Sequence, residues 1–163
     1  MFKTLKKAQK GFTIIELLIV IAIIAILALL VLNNFQGAQA KARDQQRTTD
    51  INNIHSKLEE FYNENNYYPN TFTAATFPGI DDGSLKDPIG SDLVNIATPV
   101  ADQATALASA TDPAADAVGA KSYSYIPYPT GCTNNCTGYV LKASIEKPST
   151  TTPNPYVKKS LNG

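Results

Sequence analysis

The hydrophobic pattern divides the chain into three stretches. Every residue from 17 to 32 is apolar, and the wider run 12–32 is broken only by Thr13 and Glu16. As a helix those 21 residues would span about 31 Å, the thickness of bilayer hydrocarbon. After Asn34 the chain turns polar but keeps a helical period: Ile51, Ile54, Leu58 and Phe61 recur at spacings of three, four and three. This is an amphipathic stripe, and Arg43, Arg47, Asn53, Lys57, Glu60 and Glu64 are expected on the opposite face. No proline falls between Phe12 and Tyr68. The pattern therefore predicts one helix from Thr13 to about Asn66, roughly 80 Å long. Asn63-Glu64-Asn65-Asn66-Tyr67-Tyr68-Pro69 ends it, because asparagine favours a helix end and Pro69 prevents continuation.

The third stretch is mixed. Residues 70–120 read as a long connection rich in Thr, Ala, Asp, Gly and Pro, with a short helix expected over 101–110. A structureless loop of that length is unusual in a compact domain, so Phe72, Phe77, Leu85, Leu93 and Ile96 are expected to pack against the helix. Polar and aromatic residues alternate in Ser122-Tyr123-Ser124-Tyr125-Ile126-Pro127-Tyr128, which predicts a strand; a second follows over 138–146. Pro127 is expected to place the first strand at an edge or to end it. The intervening Gly131, Cys132, Asn134, Asn135, Cys136 and Gly138 suit a hairpin turn, and a third strand fits 156–161. The expected fold class is α+β. A long N-terminal α-helix, apolar in its first half and amphipathic in its second, packs on a small antiparallel β-sheet head. Three turns of stripe do not make the several heptads of a free coiled coil.

Charge changes the picture of the N-terminus. The whole chain holds 14 bases and 14 acids, but Lys3, Lys6, Lys7 and Lys10 precede Gly11 with no acid beside them. Their position predicts a cytoplasmic start and an outward C-terminus. The apolar core is too long for an ordinary secretory signal, and no Ala-x-Ala site follows it directly. Without the leader, a net of about −4 remains by model charges, which argues against bulk phosphate binding or direct nucleic-acid binding. Glu16 is costly inside a spanning helix, about 2.5–3.5 kcal/mol at the centre and less near an end. Three readings compete for it. It reaches the interface; it closes a capping box with Thr13; or it meets a partner charge.

Lys10-Gly11-Phe12-Thr13-Ile14-Ile15-Glu16-Leu17 resembles the processing site of type IV pilins and type II secretion pseudopilins. The helix end in Phe61-Tyr62 with Asn65, Tyr68 and Pro69 resembles the same family, and Leu85-Lys86-Asp87-Pro88-Ile89-Gly90-Ser91 looks like a loop common in major pseudopilins without its usual aromatic. The resemblance implies cleavage by a prepilin peptidase between Gly11 and Phe12 and N-methylation of Phe12. It also implies that Glu16 pairs with the Phe12 amine of a neighbouring subunit, which relieves an otherwise unfavourable buried charge. The organisation it implies is a leader at 1–11, a transmembrane and filament-core helix at 12–34, an amphipathic half at 35–68 and a head at 69–163. The positions of Ala25 and Asn33 are often glycine and proline in type IV pilins, so this chain lacks two helix weakeners.

Cys132 and Cys136 suit one disulfide in an oxidising place, since two thiols are too few for a metal site. Asp81, Asp82 and Asp87 are calcium candidates by the same resemblance, but no D-x-[DN]-x-[DN]-G loop is present and a solvated acidic turn is preferred. His55 is the single histidine, expected at the stripe edge and not in catalysis. Asn135-Cys136-Thr137 matches the glycosylation sequon, with Cys136 already in the expected bridge. No catalytic constellation or phosphate loop appears, so neither an enzyme nor a cofactor is expected. The expected function is the subunit of a type IV pilus, a homo-oligomeric helical filament serving attachment, motility or DNA uptake. It would be single-pass in the membrane before assembly and at the cell surface afterwards, with the peptidase/methyltransferase, the assembly platform and its ATPase as partners. The alternatives are a pseudopilin of a secretion or competence system and a monomeric membrane-anchored binding protein.

Overall fold

The computed structural model describes residues 11–77, 79–89, 92–95, 98–109 and 123–163. The leader lysines, Gly90, Ser91, Ile96, Ser122 and the stretch 110–122 lie outside these. The chain forms two compact units, Met1–Gln39 and Ala40–Gly163.

The first unit contributes the start of helix α1, which runs Ile14–Asn65 over 52 residues. It has the length and composition to cross a membrane, with a mean hydropathy of 3.4 in its most apolar window. Its large apolar side chains are exposed, from Ile14 and Ile15 through Leu17, Ile19, Ile23 and Leu27 to Leu30. Water is a poor solvent for such a surface.

In the second unit α1 is packed along one stripe. Ala40, Ile51, Ile54 and Leu58 are buried. Asn66 follows the helix at φ 62°, and its N–H donates to the Tyr62 carbonyl at 2.7 Å. This left-handed cap suits asparagine and turns the chain out before Pro69.

The stripe rests on a four-stranded sheet in the order β1-β2-β3-β4. Strand β1 is Val94–Asn95, β2 Tyr123–Tyr128, β3 Gly138–Ala143 and β4 Tyr156–Lys159. Pairing is antiparallel for β2–β3 and β3–β4, while β1 lies parallel to β2. The α+β class is as expected, and the parallel strand is an addition. Pro127 is not at an edge, because β2 lies between β1 and β3. It is tolerated because β1 pairs only with Ser124 and Tyr125, so the lost N–H falls beyond that ladder. A residue with Cβ in place of Gly138 would meet the Tyr128 ring at 2.3 Å. The ring of its cross-strand partner thus occupies the side-chain space, which explains glycine there.

Alternation along β2 and β3 fills both faces. Tyr123, Tyr125, Tyr139, Leu141 and Ala143 join the α1 stripe in the main core. Ile126, Tyr128 and Val140 face the other way and meet Ala106 of the short helix α2, Gln103–Ala108. All six residues of each strand are buried, as sandwiching between two layers requires. The long connection is tied down as expected. Phe72 and Phe77 stack at 4.1 Å in the core, and Leu85 and Leu93 pack partly buried against it. Asn95 then clasps Phe72 through both backbone groups, at 2.6 and 2.9 Å.

Candidate functional site

At the helix start the peptide geometry follows from Thr13 and Glu16. The Thr13 N–H and hydroxyl donate to Glu16 Oε2 at 2.9 and 2.8 Å, and the Glu16 N–H donates to Thr13 Oγ1 at 3.2 Å. This is a reciprocal capping box, and it satisfies N–H groups that a helix start leaves without partners. Both bonds to the carboxylate fall on Oε2, and Oε1 receives none from the described residues. Phe12 is 92% exposed, and a Cβ at Gly11 would meet nothing within 4 Å. Packing within the chain therefore does not require glycine at position 11. The exposed carboxylate, the exposed Phe12 and the uncovered apolar surface from Ile14 onward together form a surface suited to burial against other apolar helices.

In the second unit, polar residues gather where residue type did not place them. Arg47, expected on the solvent face, is wholly buried. It lies four residues before Ile51 and so continues the stripe itself. Its Nε and Nη2 donate to Asp87 at 2.6 and 3.0 Å. Its Nη1 donates to Asp44 at 2.8 Å and to Glu146 at 2.7 Å. Burial opposes the charged guanidinium, but its hydrogen bonds to Asp87, Glu146 and Asp44 overcome it and raise its pKa. Arg43 pairs with Glu146 through Nε at 2.8 Å and through Nη2. The hydrogen bond from Arg43, with that from Arg47, holds the Glu146 carboxyl at about 2, well below its usual value. Asp44 in turn accepts the backbone N–H groups of Glu146 and Lys147 at 2.9 and 2.8 Å. Together with the Ile145 N–H, which donates to Asn154 Oδ1 at 3.0 Å, these bonds explain why β3 ends at Ala143 and not at 146: the N–H groups of residues 145–147 go to side chains and not to a ladder.

The acidic loop is accounted for similarly. Asp87 is committed to Arg47 and to the Ile89 N–H at 2.9 Å. Asp81 caps the 3-10 turn Asp82–Leu85 by accepting the Gly83 N–H, and Asp82 is exposed within that turn. Among the described residues no three His, Cys, Asp or Glu side chains gather to hold a metal. The three aspartates are thus not brought together.

Cys132 and Cys136 form a disulfide, and both are buried. Cys136 exchanges two backbone hydrogen bonds with Tyr68, at 2.8 and 3.1 Å. The bridged turn therefore clamps the chain where it leaves α1. Asn135, the sequon residue, is exposed in the same turn. His55 sits beside the stripe with Nδ1 2.7 Å from the Tyr139 hydroxyl. Glu59, one turn on, accepts from the hydroxyls of Tyr139 and Tyr68 at 2.8 and 2.9 Å and from Asn162 at 3.3 Å. Burial, and then the bond to Glu59, push the Tyr139 phenol up, so it stays a donor. Desolvation lowers the His55 pKa. These groups join α1 to β3 and to the residues after β4.

Comparison with known proteins bears on part of the chain. Residues 6–32 match the family described as the prokaryotic N-terminal methylation motif. The chain is 41% identical over 63 residues to a type II secretion system core protein G of Pectobacterium carotovorum subsp. carotovorum, covering 39% of this chain and 40% of that one. It is 41% identical over 66 residues to the core protein G of Aeromonas hydrophila, covering 40% and 46%. The core protein G of Escherichia coli (strain K12) is 34% identical over 63 residues, covering 39% and 43%. The chain thus spans less than half the length of these curated relatives. No solved structure matches.

Proposed function

On the premise that the chain belongs, by its N-terminal segment, to the type IV pilin and type II secretion pseudopilin family, we propose that it is a pseudopilin. It would be a structural subunit that polymerises through its apolar helix into a fibre of a secretion system. The observation that carries this reading is the exposed apolar surface of α1 behind Thr13 and Glu16, in the stretch that matches the methylation motif. The similarity to type II secretion system core proteins G supports the secretion assignment over the type IV pilus expected from the sequence.

The proposed course runs as follows. The 1–11 leader holds the N-terminus in the cytoplasm until a prepilin peptidase cuts after Gly11. The new Phe12 amine is methylated, and residues 12–34 anchor the subunit in the membrane with the head, 69–163, outward. During assembly by the platform and its ATPase, the Phe12 amine of one subunit meets Glu16 of another. The open Oε1 accepts that cation while Oε2 keeps its capping bonds, so one carboxylate serves both roles. Neutralising a charge in an apolar environment favours the assembled state over the lone subunit.

Glu16→Ala tests the pairing. The variant should insert and lose its leader normally, while fibre yield falls at least tenfold. Wild-type yield from that variant would overturn the pairing. Deletion of the chain tests the setting. Loss of protein secretion without loss of long surface fibres supports the pseudopilin; loss of visible surface fibres with secretion intact returns the type IV pilus reading.

A further inference from the structure

We propose that the head-side half of α1, with Lys147 beside it, presents two charged patches through which one copy of the chain docks head-to-tail on a second copy. This rests on the filament reading above. The first patch is acidic. The last turns of α1 carry Glu60 and Glu64, with no basic residue in the final turn. A helix C-terminus is the negative end of the macrodipole, so acids there are unfavourable within the chain. Lys57 relieves Glu60 at 2.7 Å. Glu64 is exposed and forms no ion pair among the described residues.

The second patch is basic and lies at the other end of the packed half. Lys41 is one turn before Asp44, and the Lys147 N–H donates to that same Asp44 at 2.8 Å. Both lysines are exposed. Asp44, one turn after Lys41, and Glu146, next to Lys147, are already engaged: both bind Arg47, and Glu146 also binds Arg43. Neither lysine amine forms an ion pair among the described residues. Unbalanced charge of opposite sign thus stands at two places along one helix, about 35 Å apart at 1.5 Å per residue.

Their directions decide what they can meet. At about 100° per residue, Lys41 and Glu64 project roughly 110° to either side of the Arg47–Ile51–Ile54–Leu58 stripe. Two patches separated along the helix and facing opposed flanks cannot satisfy each other within one chain. Each fits the other's counterpart on a copy shifted along the helix axis by that distance. Such a heterologous contact does not close on itself and generates a filament. Exposed pairs of this kind are individually weak, so they set stagger and order more than total strength.

The test is charge exchange in the full chain, produced with its assembly machinery, with fibre and membrane-held subunit quantified. Glu64→Lys, and separately Lys41→Glu with Lys147→Glu, should each lower fibre yield about fivefold. All three changes together should restore it to within about twofold of wild type. If single-patch variants assemble normally, or the triple variant does not recover, the pairing is wrong; a lysine patch that serves anionic lipid headgroups gives the latter result. Absence of fibres from the wild-type chain would sink the filament reading and this pairing with it. Wild-type fibres without rescue would sink the pairing alone.

Discussion

The two halves of α1 reverse the usual link between polarity and burial. In the first unit Ile14 is 81% exposed, whereas in the second Arg47 is fully buried. The apolar half leaves its large side chains exposed among the described residues. The charged residue has Asp44, Asp87 and Glu146. The difference teaches that burial here follows the availability of partners and not hydrophobicity alone. A side chain whose every group is matched within the chain can go inside; an apolar surface with nothing opposite stays outside until lipid or another copy covers it.

Three experiments can break or sharpen this contrast. The largest effect is expected from Arg47→Ala. It leaves three carboxylates without their shared cation and should destabilise the head by about 3–5 kcal/mol, as loss of one partner in a buried pair does. Denaturant melts of the full chain in micelles measure this, and a loss under about 1 kcal/mol would mean that the cluster is ordinary surface pairing. Next is removal of the bridge by Cys132→Ser with Cys136→Ser. The loop it closes is short, so the loss should be about 2 kcal/mol, confined to the head. Helicity of the apolar half, followed by circular dichroism in the same micelles, should not change; if it falls as well, the two units do not respond separately. The smallest is an acid response. Glu146 titrates near 2 in the folded head, below its unfolded value near 4.5. Its stabilisation is therefore complete above about pH 4.5 and is lost as pH falls toward 2. Glu146→Gln should be less stable at neutral pH and show a flatter loss over that window. An unchanged acid slope would remove Glu146 from the cluster's energetics.

Much of this was legible in the chain. The apolar run, the stripe at Ile51, Ile54 and Leu58, the helix end before Pro69 and the hairpin strands follow from local rules, and the structure has them close to their expected limits. Arg47 was misplaced for an equally local reason. Residue type assigned it to solvent, although the interval of four to Ile51 already put it on the buried stripe. A polar residue at a stripe position was the available signal. Asp87 is a different case. It lies 40 residues from Arg47, and neither periodicity nor a motif links them, so it read as an acid of a surface turn. The parallel pairing of Val94 and Asn95 with β2 was likewise hidden, because a two-residue strand carries no alternation to detect.

What the sequence determined by itself is whatever depends on neighbours along the chain. It set the length of the apolar helix, the Thr13–Glu16 cap, and the residues that a processing enzyme and a neighbouring subunit are proposed to read at Gly11, Phe12 and Glu16. Only the tertiary structure decided which charges go inside, where β3 stops and which acids remain free to face outward. Those outcomes depend on groups distant in sequence meeting at hydrogen-bond distance. A buried guanidinium is stable only once Asp87 and Glu146 arrive from two distant segments to join Asp44 of its own helix.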